Sequence, residues 1–329
     1  MNGLRTVLGR RAALAATLGT PFLPRPARAQ AQDAVRILTA FPPGAATDGI
    51  ARMLAERMIR DGSWGGTVLV DSRPGAGGNL ASALAARARP DGRTLLLTID
   101  TTLTVNPHVY ADLGYDPGAL EPVALLGTFA QVLLAHPSAG VSTLPELLAA
   151  LRNGGMPYAS GGVGTPGHLA MEAFRLAVGL PEASLSHVPY RGSGPALTDL
   201  VAGNVPVGFL AISGAPDFVR DGRVRALAVS SAERQDTLPG VPTLAELGFP
   251  GLDMEFANLL LAPRGLPAPM RQRLAAIATE MLGEPLVRVR FAAWNLTTRT
   301  EGPEGTAGWI ARATPRWGAV ARATGMRVV

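Results

Sequence analysis

The chain contains no cysteine and no lysine among its 329 residues. Without cysteine there is no disulfide, no thiolate nucleophile and no cysteine metal site. Without lysine there is no phosphate-binding P-loop of the usual kind, and every basic residue is an arginine. Acidic residues are missing from the start of the chain, Asp33 being the first. Arg5, Arg10, Arg11, Arg25 and Arg28 precede it and account for the whole formal charge of +5. The remainder is neutral, so the pI near 10.5 gives no grounds for nucleic-acid binding. Long apolar runs are also missing. Past the leading segment no stretch reaches about 18 uninterrupted apolar residues, which predicts a soluble mature chain.

What is present begins with an export leader. A basic stretch, Arg5 to Arg11, precedes an apolar run from Ala12 to about Leu23, and Ala27-Arg28-Ala29 forms a small-residue cleavage site. A second such site, Ala29-Gln30-Ala31, leaves cleavage after Ala29 or Ala31 open. Residues 1–29 are therefore expected to be removed and the protein to act in the periplasm, by the general or, given Arg10-Arg11, the twin-arginine route.

The rest alternates strand-like and helix-like segments. Val35–Leu38, Val68–Val70, Leu95–Thr98 and Gln131–Ala135 read as short strands, with helices over Thr47–Arg60 and Gly78–Ala88. After about residue 140 the rhythm restarts. Thr143 and Glu146 form a capping box for a helix to Arg152. Strand Tyr158–Ser160, helix Thr165 to Val178, strand Leu185–Val188 and helix Pro195–Ala202 follow, then strands Val207–Leu210 and Leu227–Ser230. The end reads as helical: Ala268–Leu282, Pro285–Trp294 and Glu304–Ala321. The pattern predicts an α/β fold of two lobes, each a mostly parallel sheet flanked by helices. Residues 33–132 form the first part of lobe 1, 133–253 form lobe 2, and 254–329 cross back to lobe 1.

Three glycine-rich turns join a strand to a helix: Pro42 to Asp48, Pro74 to Asn79 and Gly161 to Gly167. Such turns offer backbone N–H groups and the positive end of a helix dipole to an anion. The third contains Gly162-x-Gly164-x-x-Gly167, the dinucleotide fingerprint, and keeps an NAD(P)-dependent oxidoreductase as the alternative reading. No acidic residue ends the following strand, however; Pro189-Tyr190 stand there instead. His108, His136, His168 and His187 make no close metal spacing, and no nucleophile has a visible partner. Trp294, Trp309 and Trp317 read as packing residues. Hence no catalysis, no cofactor and no metal are expected. A degenerate exported sensory module remains a third possibility.

At these turns the chain resembles the tripartite tricarboxylate transporter substrate-binding family, also called the Bug receptors. The matching strings are Phe41-Pro42-Pro43-Gly44 with Thr47-Asp48, Ser72 to Asn79, Pro90-Asp91-Gly92, Asn106-Pro107, Tyr158 to Gly164, His187 to Gly192, and Val241-Pro242-Thr243. The resemblance implies a type II periplasmic-binding fold whose lobes close on a small carboxylate, dicarboxylate, tricarboxylate or amino-acid-like. It implies delivery to a membrane permease of that transporter type, or to a signalling partner, by a monomer that binds no nucleic acid. It places Phe41, Gly44, Ala45, Thr47 and Asp48 on one side of the ligand, with Ala76 and Gly77 nearby. Ser160, Gly164, Thr165 and His168 stand on the other. Two departures stand out. Ala45 and Ala46 replace glycines common in relatives and narrow the first loop. Asp100 ends a strand where small hydroxyl residues are usual, so it either faces the cleft and pairs with a ligand ammonium or caps a surface helix. The segment Phe209 to Ser213 lacks the usual Asp-Asn pair, leaving Ile212 as the candidate contact there.

Overall fold

The computed structural model describes residues 34–328; the expected export leader, residues 1–29, and both cleavage sites lie outside them. In chain order the strands are β1 (Val35–Thr39), β2 (Val68–Ser72), β3 (Thr94–Ile99), β4 (Leu120–Phe129), β5 (Gln131–Ala135), β6 (Met156–Ser160), β7 (Leu185–Pro189), β8 (Val207–Ala211), β9 (Arg225–Val229) and β10 (Phe256–Pro263). They form two sheets, ordered β2-β1-β3-β10-β4 and β7-β6-β8-β5-β9. In the first, only β10 runs against its neighbours; in the second, only β5 does. Each sheet is therefore mostly parallel with one reversed strand inserted, and a two-lobed α/β fold results.

The helices cover the sheets as their apolar spacing dictates. Helix Ala46–Asp61 turns Ile50, Leu54 and Met58 to the first core, at 0%, 0% and 1% exposure, and Gly62 closes it in the left-handed conformation at φ 75°. Arg57 and Arg60 reach Glu280 and Glu284 on the neighbouring helix Ala268–Gly283 and its end. The Thr143 hydroxyl caps helix Leu144–Asn153 by accepting from the Glu146 N–H at 3.4 Å, and Glu146 returns a bond to the Ser142 N–H at 2.6 Å. Two strands escape the sequence reading. β4 holds Pro122 and Gly127, which read as breakers, and β10 is apolar and buried throughout, so it lacks alternation.

The chain passes between sheets at Ala130 and again between β9 and β10. The two crossings are stitched together: the Gln131 N–H donates to Ser230 Oγ at 2.9 Å and the Ser230 hydroxyl to the Met254 carbonyl at 2.7 Å. The last helix, Pro303–Thr324, packs on β4 and on helix Pro166–Ala177, and so touches both lobes. Its Trp317 is 1% exposed and stacks on Phe256, with ring centroids 5.0 Å apart. No helix among the described residues is long and apolar enough to cross a membrane.

Candidate functional site

Helix starts meet across a cavity between the two sheets. After β1, Gly44 takes φ 88° and the chain enters helix Ala46–Asp61, whose N-cap, Ala45, has no side chain to accept from the first turn. Opposite it, helix Pro166–Ala177 starts at Thr165. That hydroxyl does not cap the helix but donates to the Gly162 carbonyl at 2.7 Å. Helix Ser193–Val201 begins behind Gly192, likewise without a side-chain cap. Three uncapped helix ends thus present backbone donors to one space, an arrangement suited to a carboxylate.

Phe41, Ala45, Thr47, Thr165 and Ile212 line that cavity, which has a volume of about 360 Å³. The remaining expected contacts sit elsewhere. Gly44 is exposed and its N–H is already engaged, donating to Asp48 Oδ2 at 3.1 Å. Asp48 is 3% exposed and also accepts from Arg52 Nε and Nη2, at 2.9 and 3.1 Å. Burial alone would raise its carboxyl, yet the Arg52 contacts and the Gly44 N–H outweigh burial and hold it below the usual range. Asp48 braces the loop. Ala76 and Gly77, at φ 47° and 60°, are exposed and lie off the cavity wall. The Gly77 carbonyl accepts from Asn106 Nδ2 at 3.0 Å instead.

Ser160, Gly164 and His168 form the underside of the third turn, not its ligand face. Ser160 Oγ lies 2.7 Å from His187 Nε2 and also bonds the Gly162 backbone. The Gly164 N–H donates to His168 Nδ1 at 3.1 Å, so this ring nitrogen carries no proton. The two imidazoles stack with centroids 3.8 Å apart, and His168 faces a separate hollow beside Glu172, Glu182 and Met326. Burial, with the neighbouring ring adding to it for His168, pushes His168 down to about 3; burial pushes His187 down to about 4. Both are neutral when folded and protonate near 6.5 when unfolded. Their stabilisation is therefore full above pH 6.5 and lost as pH falls towards 4. His187→Gln keeps a partner for Ser160 without titrating. It is expected to flatten the acid side of a melting-temperature profile by on the order of 2 kcal/mol; an unchanged slope would remove the pair from the account.

Asp100 corrects both expectations made for it. It is 0% exposed, neither on the cavity wall nor on a surface, and its Oδ2 accepts from Trp309 Nε1 at 2.7 Å. Trp294, expected only to pack, does line the cavity, its ring lying where a side chain on Gly49 would otherwise stand. Gln131, Arg191 and Asn258 line it as well and were not candidates from sequence. Arg191 lies inside the string Tyr190-Arg191-Gly192, whose pattern could have flagged it. Asn258 lies on β10, one of the two strands that the sequence reading missed.

The glycine fingerprint has a packing explanation. Gly162 and Gly164 adopt φ 129° and 73°, and a β-carbon on Gly167 would lie 2.1 Å from the Phe209 carbonyl oxygen. Among the described residues no group of three metal-ligating side chains occurs.

Comparison with known proteins agrees with this geometry. Residues 50–326 match the family described as "Tripartite tricarboxylate transporter family receptor". The chain is 34% identical over 298 residues to "Protein BugT" of Bordetella pertussis, covering 89% of this chain and 90% of that one. Among solved structures, R. palustris Rpa4515 with adipate superposes at TM-score 0.79 and 28% identity, covering 89% of this chain and 98% of the other. MatC from Rhodopseudomonas palustris with bound malate gives TM-score 0.75 and 29% identity, with coverage of 87% and 98%. A two-lobed fold, a cavity between the lobes and matches along nearly its whole described length lead to one conclusion: the chain belongs to the tripartite tricarboxylate transporter family of substrate-binding receptors.

Proposed function

We propose that this receptor works in the periplasm as a monomer, closes its lobes on a small carboxylate and hands it to a membrane permease of the tripartite tricarboxylate type, without catalysing a reaction. The observation that carries this reading is the meeting of uncapped helix starts from both lobes at one cavity. The N–H groups of the first helical turns, at Ala46, Thr47 and Gly167, are the carboxylate donors. Those of Gly44 and Gly164 are already spent on Asp48 and His168. A ligand touching both lobes favours the closed state by the difference in its affinity for the closed and open forms.

Thermal melting against mono-, di- and tricarboxylates, amino acids and NAD tests the reading. A carboxylate at 100 times its Kd is expected to stabilise by about 2.7 kcal/mol, a shift of several degrees. A shift with NAD and none with any carboxylate would instead support a nucleotide site at the third turn.

A further inference from the structure

We propose that Asn258 selects the ligand by an uncharged oxygen, an oxo or hydroxyl group carried next to the carboxylate that the first lobe holds. This rests on the receptor reading above and deepens it: the helix starts hold the carboxylates, and Asn258 reads what lies beside them. Asn258 pairs in register with Ile99 on the floor of the first lobe, lines the cavity and is 1% exposed. Its Oδ1 accepts from the Thr47 hydroxyl at 3.3 Å, while its Nδ2 has no protein partner. Among the described residues, it is the one buried side-chain nitrogen or oxygen of the cavity wall left without one. Neighbouring donors are spent. Gln131 Nε2 donates to the Ala130 carbonyl at 3.2 Å, and the Thr165 hydroxyl to the Gly162 carbonyl at 2.7 Å.

Thr47 fixes where this donor stands relative to the ligand. It belongs to the first turn of helix Ala46–Asp61, whose free N–H groups are the first lobe's carboxylate donors. Its hydroxyl touches Asn258, so the amide lies beside the carboxylate end of the ligand and not at its far end. The wall around it is apolar, with Ile99 and Phe129 ending their strands there. In the open cleft, water serves the Asn258 N–H. Closing the lobes over a ligand with only hydrocarbon at this point has two outcomes. Either the water is stripped and a buried donor goes unpaired, or the water is trapped against apolar side chains. A ligand oxygen in that place keeps the hydrogen bond and releases the water. A site built to bond a ligand oxygen rejects the analogue that lacks it, because its own polar group is then left unsatisfied. The amide is neutral and balances no charge, so the selection holds for a ligand with one carboxylate or with two.

Titration calorimetry on two matched series tests this: propionate, lactate and pyruvate, then glutarate, 2-hydroxyglutarate and 2-oxoglutarate. Members of a series share a carbon count and a number of carboxylates and differ by one oxygen. The oxygenated members, with the better enantiomer of each hydroxy acid, are expected to bind about tenfold more tightly than propionate or glutarate. Asn258→Leu removes the donor and is expected to bring that ratio to about one by weakening the oxygenated members. Where the single variant folds poorly, Thr47→Val added to it removes both ends of their bond and leaves no hydroxyl unpaired. A carboxylate held by Asn258 itself would make Asn258→Leu weaken every member alike, and the ratio would survive. That result, or equal binding within both series by the parent protein, would overturn the inference and leave the receptor reading intact. Silence from both series while another carboxylate binds would do the same. No binding by any mono-, di- or tricarboxylate would overturn both.

Discussion

Replacing Gly167 by alanine is expected to destabilise the protein by about 3 kcal/mol and to abolish ligand binding. Gly167 is the second residue of helix Pro166–Ala177, where alanine would normally be the better helix former by about 1 kcal/mol. Sterics decide the sign. The new β-carbon would stand 2.1 Å from the Phe209 carbonyl oxygen and 3.2 Å from its carbon. β8 cannot retreat, because it is paired with β5 on one side and β6 on the other. The helix start must move instead, taking Thr165 and the first-turn N–H groups out of the cavity. At roughly 2 °C per kcal/mol for a chain of this size, the melting temperature should fall by about 6 °C. Gly194→Ala is the control: nothing lies within 4 Å of its β-carbon position, and a change within about 0.5 kcal/mol is expected. Equal melting of the Gly167 variant and the parent would show that the helix start tolerates displacement and that the close approach has no consequence.

Asp100→Asn is expected to stabilise the protein by about 2 kcal/mol at pH 8 and to destabilise it by about 2 kcal/mol at pH 4, where only the cost of its unpaired amide remains. Burial pushes the Asp100 carboxyl from its ordinary 3.8 up to about 7; the Trp309 N–H bond acts the other way without cancelling it. The folded protein therefore keeps this proton to about pH 7, while the unfolded chain releases it near 4. The favourable contribution is full below pH 4 and is lost as pH rises through 7. At about 1.36 kcal/mol per unit, the loss is at most about 4 kcal/mol. Asparagine stays neutral and still accepts from Trp309, but its amide N–H groups seek partners at about 1–3 kcal/mol. A net gain of about 2 kcal/mol at pH 8 remains, roughly 4 °C. His168 and His187 act with the opposite sign between pH 4 and 6.5, so the variant should show their acid-side loss more steeply. Parallel melting profiles for variant and parent from pH 4 to 8 would mean that Asp100 stays ionised when folded.

The sequence carried the periodic parts of this fold well. Helix Thr47–Arg60 was expected and Ala46–Asp61 is found; strand Gln131–Ala135 agrees in both bounds. Those elements have one buried face, and burial of one face is what leaves a period in sequence. β10 is buried on all sides, so it left no alternation to read, and Asn258 stayed hidden with it. The three turns were legible through glycine, but which N–H groups they offer was not. That depends on Asp48 and His168 reaching back to Gly44 and Gly164, a choice of side-chain direction rather than of spacing. Asp100 shows a different limit. Its environment is set by Trp309, 209 positions away, and no local pattern announces that contact.

The place of β10 has a consequence for order in time. The second sheet takes its last strand by Val229, whereas the first has a gap between β3 and β4 until Phe256–Pro263 arrives. A chain that emerges N-terminus first therefore makes β1, β2 and β3 early and cannot finish their sheet. β3 then presents a fully buried native strand, Thr94–Ile99, as a bare apolar edge, which is the kind of edge that recruits foreign strands. The later lobe can complete its sheet while the earlier one waits, so an edge laid bare during synthesis becomes a fully buried interior strand.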